Sequence, residues 1–250
     1  MALPWKTAWI TGASTGIGRE LALQLARQGV IVAASARSRD KLEALSHEQA
    51  GIIGYPVDVT DPAAVAEVYR RIVDDIGSPD LAILNAGVWH PMKASGYDAQ
   101  RAAVSMSVNY LGIANALEPL IATMKDKGRG HIALVASVAG YRGLPMAAAY
   151  APSKAAVISL AEVLRLELAS DGLTVSVINP GFVETPMTAE NSFPMPFIIK
   201  ANDAASRIIR GLTRNRFEIA FPWQLVTLLK LARILPYRLY LWLARLTNPQ

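Results

Sequence analysis

The sequence predicts an α/β fold: a single doubly wound domain with a parallel sheet of about seven strands, followed by an apolar, basic helical extension at the C-terminus. Three observations carry this expectation. Short apolar runs rich in β-branched residues alternate with longer stretches of helical periodicity, so each strand returns through a helix to a parallel neighbour. A glycine-rich turn joins the first run to the first helix, and nearly every later run also ends in polar or glycine residues.

The elements follow in order. Thr7 to Thr11 is the first strand and passes through Thr-Gly-Ala-Ser-Thr-Gly-Ile-Gly into a helix over Ile17 to Gln28. Val30 to Ala36 ends in Ala-Arg-Ser-Arg and leads into a helix over Arg39 to His47. Ile52 to Val57 ends in Asp-Val before the helical stretch Pro62 to Ile76. Leu81 to Asn85 ends in Asn-Ala-Gly, and a long helical stretch covers Ala99 to Lys125. His131 to Ser137 ends in Ser-Val-Ala-Gly and precedes the helix Ala151 to Ser170; Thr174 to Asn179 then ends in Asn-Pro-Gly. A last strand is expected over Phe217 to Phe221. Residues 1–221 thus read as one body and 222–250 as its extension. In such sheets ligands bind outside the carboxyl ends of the strands, where the order of connection reverses, so the chemistry is expected there.

Composition narrows the chemistry. The chain of 250 residues is 52% hydrophobic and only 18% charged, without a linker or a like-charge run, which excludes the disordered class. It has no cysteine and three scattered histidines, so neither disulfides nor a metal site is expected and redox chemistry must come from a bound cofactor. The N-terminus enters its first strand by Thr7, which leaves no room for a cleaved leader and makes the cytoplasm the expected location. From Lys200 onward nine basic residues stand against two acids, Asp203 and Glu218, while the rest of the chain is slightly acidic. A basic end on a near-neutral body argues against a nucleic-acid partner.

Two local patterns carry chemistry. In the turn Thr11 to Gly18, which includes Ser14, Thr15 and Ile17, the spacing of Gly12, Gly16 and Gly18 lets backbone amides approach a pyrophosphate at a helix N-terminus. After the second strand an acid would bind the adenosine ribose of NAD; Arg37 stands there instead and would accept the 2'-phosphate of NADP, with Ser38 and Ser14 as further donors. The second pattern is Tyr150-Ala-Pro-Ser-Lys154, a tyrosine and a lysine sharing one helix face. A phenol is a poor base at neutral pH, but an ammonium beside it, with a cationic nicotinamide, favours the phenolate and makes it a usable acid/base. Ser137, at a strand end, is placed to hydrogen-bond the substrate oxygen.

On these residues the chain resembles the single-domain short-chain dehydrogenases/reductases, a Rossmann-type family, over roughly residues 5 to 221. The resemblance matches the glycine turn to Thr11 to Gly18, the sheet-end motif to Asn85-Ala86-Gly87, and the catalytic group to Asn109, Ser137, Tyr150 and Lys154. It implies that Lys154 also holds the nicotinamide ribose and that Asn109 interrupts its helix to hold a water relaying protons to Lys154. It further implies that Asp58 and Val59 sit against the adenine, and that Pro180, Gly181, Val183 and Thr185 flank the carboxamide. Some NADP-using relatives carry a second basic residue where this chain has Thr15, so the choice of NADP(H) over NAD(H) rests mainly on Arg37. A homodimer or homotetramer is expected.

Other residues read as ordinary structure: His47, His90 and His131 lack partners at ligand spacing, and Glu162, Arg165 and Glu167 form a solvated helix edge. The loop after Gly181 carries Phe182, Phe193, Met195, Phe197, Ile198 and Ile199, which suits a lid over an apolar substrate, although a loop packed on its own core would look the same. From Phe221 to Leu246 there is no uninterrupted apolar run long enough to span a bilayer, and Pro236 is expected to divide the segment into two helices. With Trp223, Tyr237, Tyr240 and Trp242 among uncompensated basic residues, it reads as a segment lying on the inner face of a membrane; the competing reading is a helical pair that packs across an oligomer or closes the pocket. The alternatives to an enzyme are an NADP(H)-binding scaffold without turnover and a lipid-surface interaction protein.

Overall fold

The computed structural model describes residues 3–189, 191 and 193–246; Met1 and Ala2, where the N-terminal reading begins, and 247–250, the end of the predicted extension, lie outside the described residues. The first half contains β1 (Thr7–Thr11), α1 (Gly16–Arg27), β2 (Ile31–Ala36), α2 (Arg39–Glu48), β3 (Ile52–Pro56), α3 (Pro62–Ile76), β4 (Leu81–Leu84), α4 (Ala99–Met106) and α5 (Gly112–Lys127). There follow β5 (Gly130–Val135), α6 (Tyr150–Glu167), β6 (Leu173–Pro180), β7 (Val183–Glu184), α7 (Pro186–Ala189), β8 (Ile199–Lys200), α8 (Ala201–Leu212), β9 (Glu218–Phe221), α9 (Trp223–Ile234) and α10 (Tyr237–Leu246).

Seven strands form one parallel sheet in the order β3-β2-β1-β4-β5-β6-β9, with β7 and β8 paired separately. The chain winds outward from β1 to β3 and then restarts at β4 on the other side of β1, so the reversal falls between β1 and β4. Side chains alternate across the strands. Ala8 and Ile10 of β1 join α1, α2 and α8 in one apolar layer, whereas Trp9 joins α3, α5, α6 and α9 in the other. Sharp starts have local causes: Asp61 accepts from the Ala64 N–H ahead of α3, with Pro62 in the first turn, and Asp98 accepts from the N–H groups of Gln100 and Arg101 ahead of α4.

The helical stretch Ala99 to Lys125 is divided by a π-helical segment, Ser107–Leu111, which contains Asn109, where the family resemblance implies an interruption. The structure departs from the sequence reading in three places. The helix after β5 begins at Tyr150 and ends at Glu167. Helix α8 was not expected; it buries Ala204, Ala205, Ile208, Ile209 and Leu212 in the layer that holds α1, with its charges outward. The C-terminal segment does divide at Pro236, yet Leu225 and Leu229 of α9 lie in the core, so packing runs on past residue 221. Among the described residues no helix is long and apolar enough to cross a membrane.

Candidate active site

The glycine turn leaves β1 where the sheet order reverses. Gly12 has φ +68°, and a β-carbon there would lie 2.8 Å from Ala86 Cα, so the turn crosses directly over the end of β4. Asn85 ties the two together: its Nδ2 donates to the carbonyls of Thr11 at 3.0 Å and Gly12 at 3.2 Å. In return the Thr11 hydroxyl accepts from the N–H groups of Asn85 at 3.0 Å and Ala86 at 3.1 Å. Helix α1 then opens behind Thr15, whose side chain makes no cap bond, and no acid occupies its first turn. Its leading amides and the positive end of its dipole therefore keep their capacity for an anion. Ser14 and Ile17 are half-buried beside them, and Gly16 abuts Thr185, whose Cγ2 would be 2.9 Å from a β-carbon on that glycine.

The predicted catalytic side chains converge at the ends of β4, β5 and β6. Tyr150 is the first residue of α6 and Lys154 lies one turn further on, its Nζ 5.7 Å from the tyrosine ring centroid. Ser137 begins the short turn after β5; its hydroxyl accepts from the Ala139 N–H at 3.1 Å and donates to the Pro180 carbonyl at 3.3 Å. Burial pushes the Tyr150 phenol up to about 12, opposed by its hydrogen bond with Ser137. Burial pulls the Lys154 ammonium down to about 8, while Nζ donates to the Val135 carbonyl at 2.8 Å. At Tyr150 burial is thus the larger influence, and the lowering one comes from Ser137.

Asn109 sits fully buried in the π segment and is held from three sides. Its Oδ1 accepts from the Val88 N–H at 2.7 Å, and its Nδ2 donates to the Val88 carbonyl at 3.1 Å and to Ser153 Oγ at 2.9 Å. Gly87 fits between the two functional groups: a β-carbon on it would lie 3.2 Å from Asn109 Oδ1 and 3.5 Å from Lys154 Nζ. The sheet-end motif therefore joins the glycine turn, through Asn85 and Ala86, to the catalytic group, through Gly87.

Arg37, Ser38, Asp58 and Val59 form a separate cluster at the ends of β2 and β3. Arg37 is exposed and makes no ion pair among the described residues; Ser38 precedes α2 without capping it. Asp58 accepts from the Thr60 N–H and hydroxyl at 2.9 and 2.8 Å, and these bonds, chiefly the backbone one, with Arg37 as a smaller influence, hold its carboxyl below the usual range. Val59 is turned inward, packing where a β-carbon on Gly112 would meet it at 2.6 Å, with its carbonyl accepting from Asn115. Past β6, the Gly181 N–H donates to the Phe221 carbonyl at 2.7 Å, and Val183 is buried and paired with Ile199 across β7 and β8.

Sequence reasoning missed Trp89, which follows the sheet-end motif. Its ring meets Tyr150 edge-on at 5.0 Å and Phe193 at 6.4 Å, Phe193 meets Phe182 at 6.1 Å, and its Nε1 donates to Asn191 Oδ1 at 2.9 Å. The available signal was its place just beyond the carboxyl end of β4. His131, read as ordinary structure, is buried and paired with Ser176 at 2.8 Å.

The description of the family model that matches residues 6–194 is "short chain dehydrogenase", and the chain belongs to that family of oxidoreductases. An uncharacterized oxidoreductase of Myxococcus xanthus is 40% identical over 242 residues, covering 95% of this chain and 96% of its own. Among solved structures, a short chain dehydrogenase/reductase from Burkholderia phymatum in complex with NAD superposes with a TM-score of 0.85 at 25% identity, covering 93% of this chain and 94% of its own. An alcohol dehydrogenase from the archaeon Thermococcus sibiricus, complexed with 5-hydroxy-NADP, gives 0.78 at 27% identity over 86% of this chain and 95% of its own.

Proposed function

We propose that this short-chain dehydrogenase uses NADP(H) to interconvert a carbonyl and a secondary alcohol on a hydrophobic substrate, with Tyr150 as acid/base. The observation that carries the reading is the convergence of Ser137, Tyr150 and Lys154, backed by Asn109, at the strand ends beside the glycine turn. A nicotinamide cofactor bound across that crevice would supply or accept the hydride. The residues present fit one: the uncapped start of α1 offers amides to a pyrophosphate, and exposed Arg37, with Ser14 and Ser38 as further donors, suits a 2'-phosphate. The solved relatives named above carry an NADP analogue in one case and NAD in the other, so the preference for NADP(H) rests on Arg37. Lys154 would hold the ribose, and Pro180, Gly181, Val183 and Thr185 would flank the carboxamide.

The proton chemistry follows from burial. With its pKa raised to about 12, Tyr150 is protonated at neutral pH and holds the proton that a carbonyl oxygen needs as it is reduced. Ser137 hydrogen-bonds the same oxygen and stabilises the charge developing on it. Lys154, charged below about pH 8, lies near enough to stabilise the phenolate left behind. Trp89, Phe193 and Phe182 line the approach to Tyr150 with apolar surface, which supports a hydrophobic substrate. An NADPH-oxidation screen of hydrophobic ketones and aldehydes tests the reading. Turnover is expected, and Tyr150→Phe should reduce it by roughly 10²–10⁴-fold while leaving coenzyme binding nearly intact. A Tyr150→Phe enzyme that keeps most of its kcat would remove the tyrosine from the mechanism.

A further inference from the structure

We propose that Glu218 is a positioning residue for Ser137, an inference that rests on the carbonyl chemistry proposed above. Ser137 begins a short turn, Val138–Gly140, which Tyr141 closes by donating its N–H to the Val138 carbonyl at 3.1 Å. The sheet holds the near end of this turn, where the Ala136 N–H donates to the Ile178 carbonyl of β6 at 2.8 Å. The far end lies outside the sheet, and there the Tyr141 side chain is buried, with its hydroxyl donating to Glu218 Oε1.

Glu218 is also reached from the other side of Ser137. It lies opposite Val177 in the parallel register of β6 and β9, so its side chain shares a face with Asn179, two residues further along β6. Asn179 Nδ2 donates to the same Oε1 at 3.0 Å, and its Oδ1 has no partner among the described residues, so the buried amide is held through Nδ2 alone. The next residue is Pro180, whose carbonyl accepts from the Ser137 hydroxyl at 3.3 Å. One carboxylate oxygen thus closes a ring that runs from Ser137 along its turn to Tyr141, across Glu218 to Asn179, and back through the Pro180 carbonyl to the Ser137 hydroxyl. The turn is seated directly on the helix that carries Tyr150 and Lys154: a β-carbon on Gly140 would lie 2.9 Å from the Lys154 carbonyl oxygen. A turn released at Tyr141 therefore moves Ser137 relative to the proton donor.

The junction calls for an acceptor. Burial and the neighbouring carboxylate push the Tyr141 phenol up, so it arrives as a donor; Asn179 offers Nδ2, and Lys230 of α9 donates to Oε2. Three donors meet a side chain that only accepts. Burial works against the charge on Glu218, yet the bonds from Lys230, Tyr141 and Asn179 prevail and hold its carboxyl below the usual carboxylate range. The ion pair with Lys230 also corrects the expectation that the basic residues of the C-terminal segment stand without a countercharge.

Two measurements on the full-length protein test the proposal together: kinetics with a ketone from the NADPH-oxidation screen, and hydrogen exchange of the Ala139 to Tyr141 amides. Glu218→Ala should lower kcat by roughly ten- to a hundredfold, the cost of a reacting group misplaced by up to about 1 Å, while the Kd for NADPH stays nearly unchanged. The turn amides should exchange faster and those of β5 should not. Tyr141→Phe keeps the ring and cuts one link, so it should show the same changes to a smaller extent, and it carries the test if Glu218→Ala does not fold. Glu218→Gln keeps a carbonyl oxygen for Tyr141 and Asn179 and should restore most of kcat, a rescue that a role in charge balance alone would not give. Wild-type kcat in both Glu218→Ala and Tyr141→Phe overturns the proposal. So does a Glu218→Gln enzyme as impaired as Glu218→Ala, or a loss that falls on NADPH affinity and leaves kcat intact. If the wild type turns over no ketone, the carbonyl chemistry itself has failed; the exchange rates then decide alone whether Glu218 holds the Ser137 turn, and unchanged rates overturn it.

Discussion

At Gly18 a β-carbon would come 2.3 Å from the Gly12 carbonyl oxygen and 2.6 Å from Asn85 Nδ2, so the neighbours that would have to move are backbone and the side chain that ties β1 to β4. Gly18→Ala is predicted to cost about 1–3 kcal/mol, the range for overpacking, and to weaken coenzyme binding with it. Thermal melts with and without NADPH read both effects, and a variant that melts like the wild type with full ligand-induced stabilisation would contradict the packing argument. Arg37→Asp probes the other end of the crevice, where the guanidinium is exposed. Loss of a charge-assisted contact predicts a roughly ten- to hundredfold fall in NADPH affinity relative to NADH, whereas an unchanged ratio would remove Arg37 from phosphate recognition. For Tyr150 the prediction is in pH. Because burial holds the phenol protonated, alcohol oxidation, which needs the phenolate, should accelerate as pH rises above neutrality, while carbonyl reduction should not. Initial rates in both directions across that range provide the check.

Between elements, His131 shows how a buried titratable group joins two strands: it lies on β5, bonds Ser176 of β6 and packs against Trp5 at 5.8 Å. Burial pulls its pKa down to about 4, below the ordinary value near 6.5. The unfolded chain therefore takes up the proton first, and the stability present above about pH 6.5 is lost as pH falls through about 4, a swing of about 3 kcal/mol. His131→Gln should flatten that acid limb in urea titrations at about pH 7 and about pH 5, and an unchanged pH dependence would place the acid sensitivity elsewhere. The strands of the sheet were legible because each is a short apolar run with a polar or glycine end, and Tyr150 and Lys154 because their spacing lies within one helix. Helix α8 was equally periodic, with Ala204, Ala205, Ile208, Ile209 and Leu212 on one face, but its arginines drew the reading toward net charge. Trp89 escaped for another reason. Its contact with Tyr150 depends on which strand ends become neighbours, and the spacing within any one segment does not contain that information.

Across the whole molecule, the C-terminal helices are coupled to the catalytic end through the segment between Ser137 and Tyr150. Arg142 and Gly143 lie inside that segment, and their partners are the end of α9, Leu235 and two tyrosines of α10. The extension therefore braces the loop that leads into Tyr150. Arg142→Met keeps much of the side chain's apolar bulk but removes two bonds to backbone carbonyls and both cation–π contacts, a predicted loss on the order of 2–3 kcal/mol. Most of that loss should be local, freeing α10 before the sheet unfolds, because α9 remains anchored by Leu225 and Leu229. Limited proteolysis is then expected to cut between α9 and α10, near Leu235, several times faster in the variant, and kcat should fall as the Ser137 to Tyr150 loop loses its support. Cleavage and turnover at wild-type rates would mean that Tyr240 and the core contacts of α9 suffice to hold the brace, leaving the Arg142 contacts without a measurable role in either function.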